Sequence, residues 1–170
     1  RLNEELNAKF KFNDLISAGT IETLSHLIDR KQSVTSSFIS LQTQGDKTPL
    51  ILIHPIGGTV FWYLNLAKYI KDRPIYAIQD PGINSEELTF DSLGEMAEHY
   101  YQLIKQHQIK PPYLLGGASS GSNIATEIAV LMRKNNEAVS AIVSLDGWLM
   151  YPKDLDDKKI LGDILKKQLT

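Results

Sequence analysis

A chain of 170 residues with 42% hydrophobic side chains and a net charge of −2 can bury a real core, and its scattered positive charges exclude a polybasic nucleic-acid or membrane surface. The absence of cysteine excludes a disulfide framework and thiol catalysis, and fits a cytoplasmic enzyme. There is no signal-peptide pattern and no apolar run of the roughly 18 residues that a membrane helix needs.

Residues 1–31 are a polar segment with apolar points at Leu2, Leu6, Phe10, Phe12, Leu15 and Ile16, followed by Thr20 as a helix N-cap and Ile21, Leu24, Leu27 and Ile28 at helical spacing. That stripe must be buried, yet so short a segment cannot form a core alone, so it reads as a fragment of a small helical domain. Residues 32–37 read as a polar linker. A strand over Phe38–Gln42 follows, then a turn at Gly45-Asp46 and a wholly apolar strand, Leu50–Ile53, ending in His54-Pro55. Thr59 is placed to cap a helix running to about Lys71, and Pro74–Ile78 is the next strand. After the Asp80-Pro81-Gly82 loop, Ser92-Leu93-Gly94-Glu95 is a capping box that opens a helix to about Gln108. Pro111-Pro112 introduces the next strand, which breaks at Gly117 and continues as a helix over Asn123–Arg133. A last buried strand, Ala141–Leu145, ends at Asp146, and Leu155, Ile160, Leu161, Ile164, Leu165 and Leu169 mark an amphipathic segment beyond it. Strands alternating with helices predict an α/β architecture with a mostly parallel sheet covered on both faces. Its active groups are expected beyond the C-terminal strand ends, where His54–Gly58, Gln79–Gly82, Ser119 and Asp146-Gly147 all fall.

The chemistry concentrates in Gly117-Ala118-Ser119-Ser120-Gly121, a Gly-x-Ser-x-Gly run between strand and helix. In that context the pattern is a nucleophile elbow of the α/β-hydrolase type, with Ser119 at its tip. The spacings of the two common phosphate-binding glycine loops are not met. An oxyanion hole needs two backbone N–H groups, and Ser120, at the start of a helix, supplies one. The second is expected from the His54–Gly58 loop, in which Pro55 has no N–H to offer and Gly57 and Gly58 allow close approach to substrate. All four histidines (His26, His54, His99 and His107) precede Ser119, whereas hydrolases of this type order their triad Ser, Asp or Glu, His.

His54-Pro55-Ile56-Gly57-Gly58, the elbow, and Ser144-Leu145-Asp146-Gly147 closely resemble the thioesterase domains that end fatty-acid, polyketide and nonribosomal-peptide synthases. Phe10–Ile28 looks like the last helices of an acyl or peptidyl carrier protein. The resemblance implies a carrier fragment over 1–31, the linker 32–37 and a thioesterase domain over 38–170, with a helical lid from about residue 147. It implies Ser119 as nucleophile, Asp146 as the acid orienting a histidine, and the N–H groups of Ile56 and Ser120 as the oxyanion hole, with His54 shaping that loop. Gly57, Gly58, Trp148 and Tyr151 become substrate contacts, while Phe61, Trp62 and Tyr63 either line the acyl channel or pack the first helix. The implied reaction releases an acyl, polyketide or peptidyl chain from a phosphopantetheine thioester through an acyl-serine, by hydrolysis or cyclisation. The 4'-phosphopantetheine would ride on the carrier, its attachment serine upstream of Arg1; the thioesterase itself is expected to bind no cofactor or metal. The partners implied are that carrier and upstream synthase modules. Because the chain opens on Arg1 and has no histidine after Asp146, it is expected to be part of a longer protein whose triad histidine lies beyond Thr170. A general serine esterase or lipase, and a catalytically incomplete carrier-docking fragment, remain as alternatives.

Overall fold

The five stretches read as strands pair into one sheet. The computed structural model describes Thr20, Glu22 and residues 37–84 and 90–147. Its strands are β1 (Phe38–Gln42), β2 (Leu50–Ile53), β3 (Ile75–Ile78), β4 (Tyr113–Ala118) and β5 (Val139–Leu145). They lie in the order β1-β3-β2-β4-β5, with β1 antiparallel to β3 and the other neighbours parallel. The crossovers are the helices α1 (Trp62–Tyr69), α2 (Leu93–Gln106) and α3 (Ser120–Lys134).

Strand side chains alternate between faces, so each face gathers its own core. Ile51, Ile53, Ile78, Tyr113 and Leu115 pack with Ala97, Tyr100 and Ile104 of α2 and Ile124, Ile128 and Met132 of α3. Leu50, Leu52, Ile75 and Ala77 pack on the other face with Val60 and with Tyr63 and Ala67 of α1. The central strand β2 is therefore buried on both sides, which is why its sequence is an unbroken apolar run.

The capping box forms: Glu95 N–H donates to Ser92 Oγ (3.1 Å). The Glu95 carboxylate accepts from Asp91 N–H (3.0 Å), one residue before the cap. Two helix starts differ from expectation. Helix α1 opens at Trp62, because Val60 is drawn fully into the core and Thr59 lies outside the first turn. Helix α3 opens at Ser120, three residues before Asn123, because backbone contacts at Gly117 and Gly121 override the weak helix propensity of Ser-Gly-Ser. The last strand is not buried: β5 pairs only with β4 among the described strands, and Ala141 and Ile142 are exposed.

Of the segment 1–31 only Thr20 and Glu22 are described. The expected lid, with Trp148 and Tyr151, lies outside the described residues. No helix among the described residues is long and apolar enough to cross a membrane.

Candidate active site

Three loops meet at the C-terminal edge of the sheet. The first leaves β2 as a turn closed by Gly58 N–H donating to Pro55 O (3.0 Å). Gly57 has φ +94° at the third position of that turn, the left-handed conformation a type II turn requires. Gly58, at φ +79°, lies against Asp80: an added Cβ would sit 2.8 Å from Asp80 Cβ, and Asp80 N–H donates to Gly58 O (3.0 Å).

The second loop is the elbow. Ser119 has φ 51° and ψ −124°, a conformation that costs a non-glycine residue about 1–3 kcal/mol and lifts its side chain clear of the strand. Ser119 is exposed. A Cβ on Gly117 would overlap the backbone of Gly121, and one on Gly121 would overlap Ile53 O and lie 2.7 Å from His54 O. Gly117 therefore lets the first turn of α3 fold back on the end of β4, and Gly121 lets it rest directly on the end of β2. The Ile56 and Ser120 N–H groups find no acceptor among the described residues.

The third loop follows β5. Ala118 and Leu145 are partners in the β4–β5 register, so Ser119 and Asp146 are the next residue on each strand. Ser119 N–H donates to Leu145 O (3.0 Å), tying the two strand ends together. Asp146 also has a positive φ, 52°, and is exposed. Ser144 Oγ donates to Ser122 Oγ (3.1 Å), which donates to Gly117 O (2.6 Å), so the acid-bearing loop is laced to the elbow from below.

His54 belongs to the scaffold of this site. It is buried, its Nδ1 lies 2.8 Å from Pro55 O, and its Nε2 lies 2.7 Å from Tyr100 Oη. A carbonyl oxygen can only accept, so Nδ1 carries the proton and Nε2 accepts from the Tyr100 hydroxyl. Burial lowers the His54 pKa, outweighing the Pro55 carbonyl and the Asp80 charge, which both favour the cation. With both nitrogens engaged, the ring orients the Pro55–Gly58 turn. Nitrogen-detected NMR should show His54 still as the neutral Nδ1–H tautomer as pH falls through the ordinary imidazole value of about 6.5. Unfolded chains take up this proton first, so His54 makes the fold less stable as pH drops below that value. A ring that titrates at the ordinary value would contradict the assignment.

His99 is exposed and tilted against Phe90, and His107 stacks on Phe38 with Nδ1 on Leu103 O (2.9 Å); both are on or next to α2. Of the aromatic trio after the turn, Trp62 is 73% exposed and Tyr63 only 1%, so Tyr63 does not line an open channel. Sequence reading missed Tyr63, Tyr100, Ser122 and Ser144 as residues that hold the site. The available signal was a phenol on the apolar stripe of a helix, at Tyr63 and Tyr100, where burial obliges the hydroxyl to find a partner.

Residues 48–159, which include the turn, the elbow and Asp146, match the Thioesterase domain family. The chain belongs to that family. The thioesterase chain is 37% identical over 155 residues to the nonribosomal peptide synthetase ucdA of Aspergillus ustus, covering 86% of this chain and 16% of that protein. It is 34% identical over 151 residues to a dimodular nonribosomal peptide synthase of Bacillus subtilis (strain 168), covering 87% of this chain and 6% of that one. The thioesterase thus spans a small fraction of the curated relatives it matches. Among solved structures, it resembles a holo four-domain nonribosomal peptide synthetase bound to AMP and glycine, with TM-score 0.68 and 30% identity over 94% of this chain and 13% of that one. It also resembles the NocB thioesterase domain in covalent complex with a fluorophosphonate nocardicin G analog, with TM-score 0.63 and 26% identity over 77% of this chain and 59% of that one. A mostly parallel sheet with helical crossovers is the α/β-hydrolase architecture of these thioesterase domains.

Proposed function

We propose that this thioesterase releases a peptidyl chain from a carrier-bound phosphopantetheine thioester through an acyl enzyme on Ser119. The observation that carries the reading is the strained, exposed Ser119 at the tip of a strand–helix elbow, next to an N–H group (Ser120) without an acceptor among the described residues. Ser119 Oγ attacks the thioester carbonyl as its proton passes to a general base. The tetrahedral oxyanion accepts hydrogen bonds from Ile56 and Ser120 N–H, and its collapse expels the pantetheine thiolate, which takes up a proton. Water, or a hydroxyl or amine of the chain itself, then attacks the acyl-serine and gives the free acid or the ring. Asp146 orients the imidazole that carries the proton in both steps. His54 does not serve as that imidazole, because neither of its nitrogens is free.

The substrate class follows from the relatives, which are peptide synthetases. In this reading residues 1–31 are a carrier fragment and 38–170 the thioesterase domain, the latter supported by the family match over 48–159. A carrier and upstream modules are accordingly the partners assigned, and phosphopantetheine is a group on the substrate side. Gly57 and Gly58, beside the assigned oxyanion donors, and Trp148 and Tyr151 are the substrate contacts in this reading.

The test is covalent labelling of the natural full-length protein with a fluorophosphonate, the reagent class held covalently by the NocB domain. One label per chain is expected, on the peptide containing Ser119, and none on Ser119→Ala. Hydrolysis of an acyl-N-acetylcysteamine thioester should disappear with it. Labelling or turnover that survives in Ser119→Ala would end the proposal.

A further inference from the structure

Tyr63 lies in the first turn of α1 and is buried against the sheet. Its hydroxyl donates to Ile53 O (2.5 Å) and accepts from Ala118 N–H (2.7 Å). Burial pushes its pKa up to about 12, so the phenol keeps its proton throughout the neutral range. Strands β2 and β4 run in register as far as Ile53 and Gly117 and then part. Beyond that point β2 becomes the Pro55–Gly58 turn and β4 becomes the elbow. Ile53 and Ala118 are the last residues of the two strands, so the phenol joins the strands where their loops diverge.

The two N–H groups assigned to the oxyanion hole, Ile56 and Ser120, sit one on each of those loops. Such a pair works only when both donors converge on the position the oxyanion will occupy, and small misplacements are costly. We propose that Tyr63 is a positioning residue: the bridge Ala118 N–H to Tyr63 Oη–H to Ile53 C=O fixes the separation of the two oxyanion donors. The proposal rests on reading Ile56 and Ser120 as that hole. It gives Tyr63 a part in the reaction without contact with substrate, and it accounts for a fully buried hydroxyl in a helix that otherwise packs through apolar atoms.

The experiment compares Tyr63→Phe with the parent in the natural full-length protein, measuring turnover of an acyl-N-acetylcysteamine thioester per fluorophosphonate-titrated site. The kcat per site should fall about 10- to 100-fold while KM stays within about twofold. The rate of fluorophosphonate inactivation should fall in step, because the phosphonyl oxygen occupies the same hole. A merely structural Tyr63 predicts a lower Tm and fewer titratable sites with unchanged kcat per site, and that result overturns the proposal. If Tyr63→Phe does not fold, 4-aminophenylalanine at this position keeps a donor toward Ile53 but accepts poorly from Ala118. It should lower kcat per site by at least about threefold at constant KM, and an unchanged kcat again overturns the proposal. Ser119→Ala separates the two levels. Turnover surviving there refutes the acyl-serine reading, whereas its loss beside a fully active Tyr63→Phe refutes only the bridge.

Discussion

Asp146→Asn should lower kcat for an acyl thioester by about 10⁴-fold in the natural full-length protein, a loss of roughly 5 kcal/mol of transition-state stabilisation. The size follows from the role. An acid that holds an imidazole must accept from its N–H, and an amide that presents its own N–H instead favours the wrong tautomer. The position supports that role, since Asp146 follows the residue paired with Ala118 and Ser119 N–H is bonded to Leu145 O. The fold should tolerate the change. Asp146 is exposed and has φ 52°, a conformation Asn adopts as readily as Asp. The melting temperature should therefore move by no more than a degree or two, as expected for about 0.5 kcal/mol on a chain of this size. A kcat reduced less than about tenfold would remove Asp146 from the triad and leave it a turn residue.

The contrast between Asp146 and Tyr63 shows what kind of information a sequence holds. Ser119, Asp146 and the His54–Gly58 turn stood out because each ends a strand with residue types that a buried strand does not tolerate. Turn chemistry is local, and local rules apply to it. The parallel sheet was legible for a similar reason, since β2 is apolar at every position and can only lie at the centre. Tyr63 and Tyr100 were not legible, because both sit on helical stripes where a phenol reads as one more large apolar side chain. Their hydrogen bonds reach 10 and 46 residues along the chain, to Ile53 and His54. Helix starts failed for the same physical cause. Thr59 is a good cap and Ser-Gly-Ser a poor helix, but burial of Val60 and the contact of Gly121 with β2 decide where each helix begins. The exposure of β5 depends on what pairs beside it, which no residue of the strand specifies.

Gly121→Ala should destabilise the protein by at least about 3 kcal/mol, a fall in Tm on the order of 6–12 °C. The added methyl would overlap Ile53 O and stand 2.7 Å from His54 O, and neither atom can retreat. Ile53 is fully buried in the central strand, its carbonyl is bonded to Tyr63, and the next residue is held through His54 N–H to Ile78 O (3.0 Å). The strain can be relieved only by lifting the first turn of α3 off β2, which would also move Ser120 N–H away from the Pro55–Gly58 turn. Gly57→Ala provides the comparison. Nothing lies within 4 Å of the position its methyl would take, so its cost is the left-handed backbone alone, about 1–2 kcal/mol. Gly121 is helical and carries no such backbone cost, so thermal melts of the two variants should differ clearly. A loss at Gly121→Ala no larger than that at Gly57→Ala would show that the contact with β2 is relieved without lifting the helix. The second glycine of the elbow pattern is then explained by packing: it sets how closely the helix carrying one assigned oxyanion donor approaches the strand whose following turn carries the other.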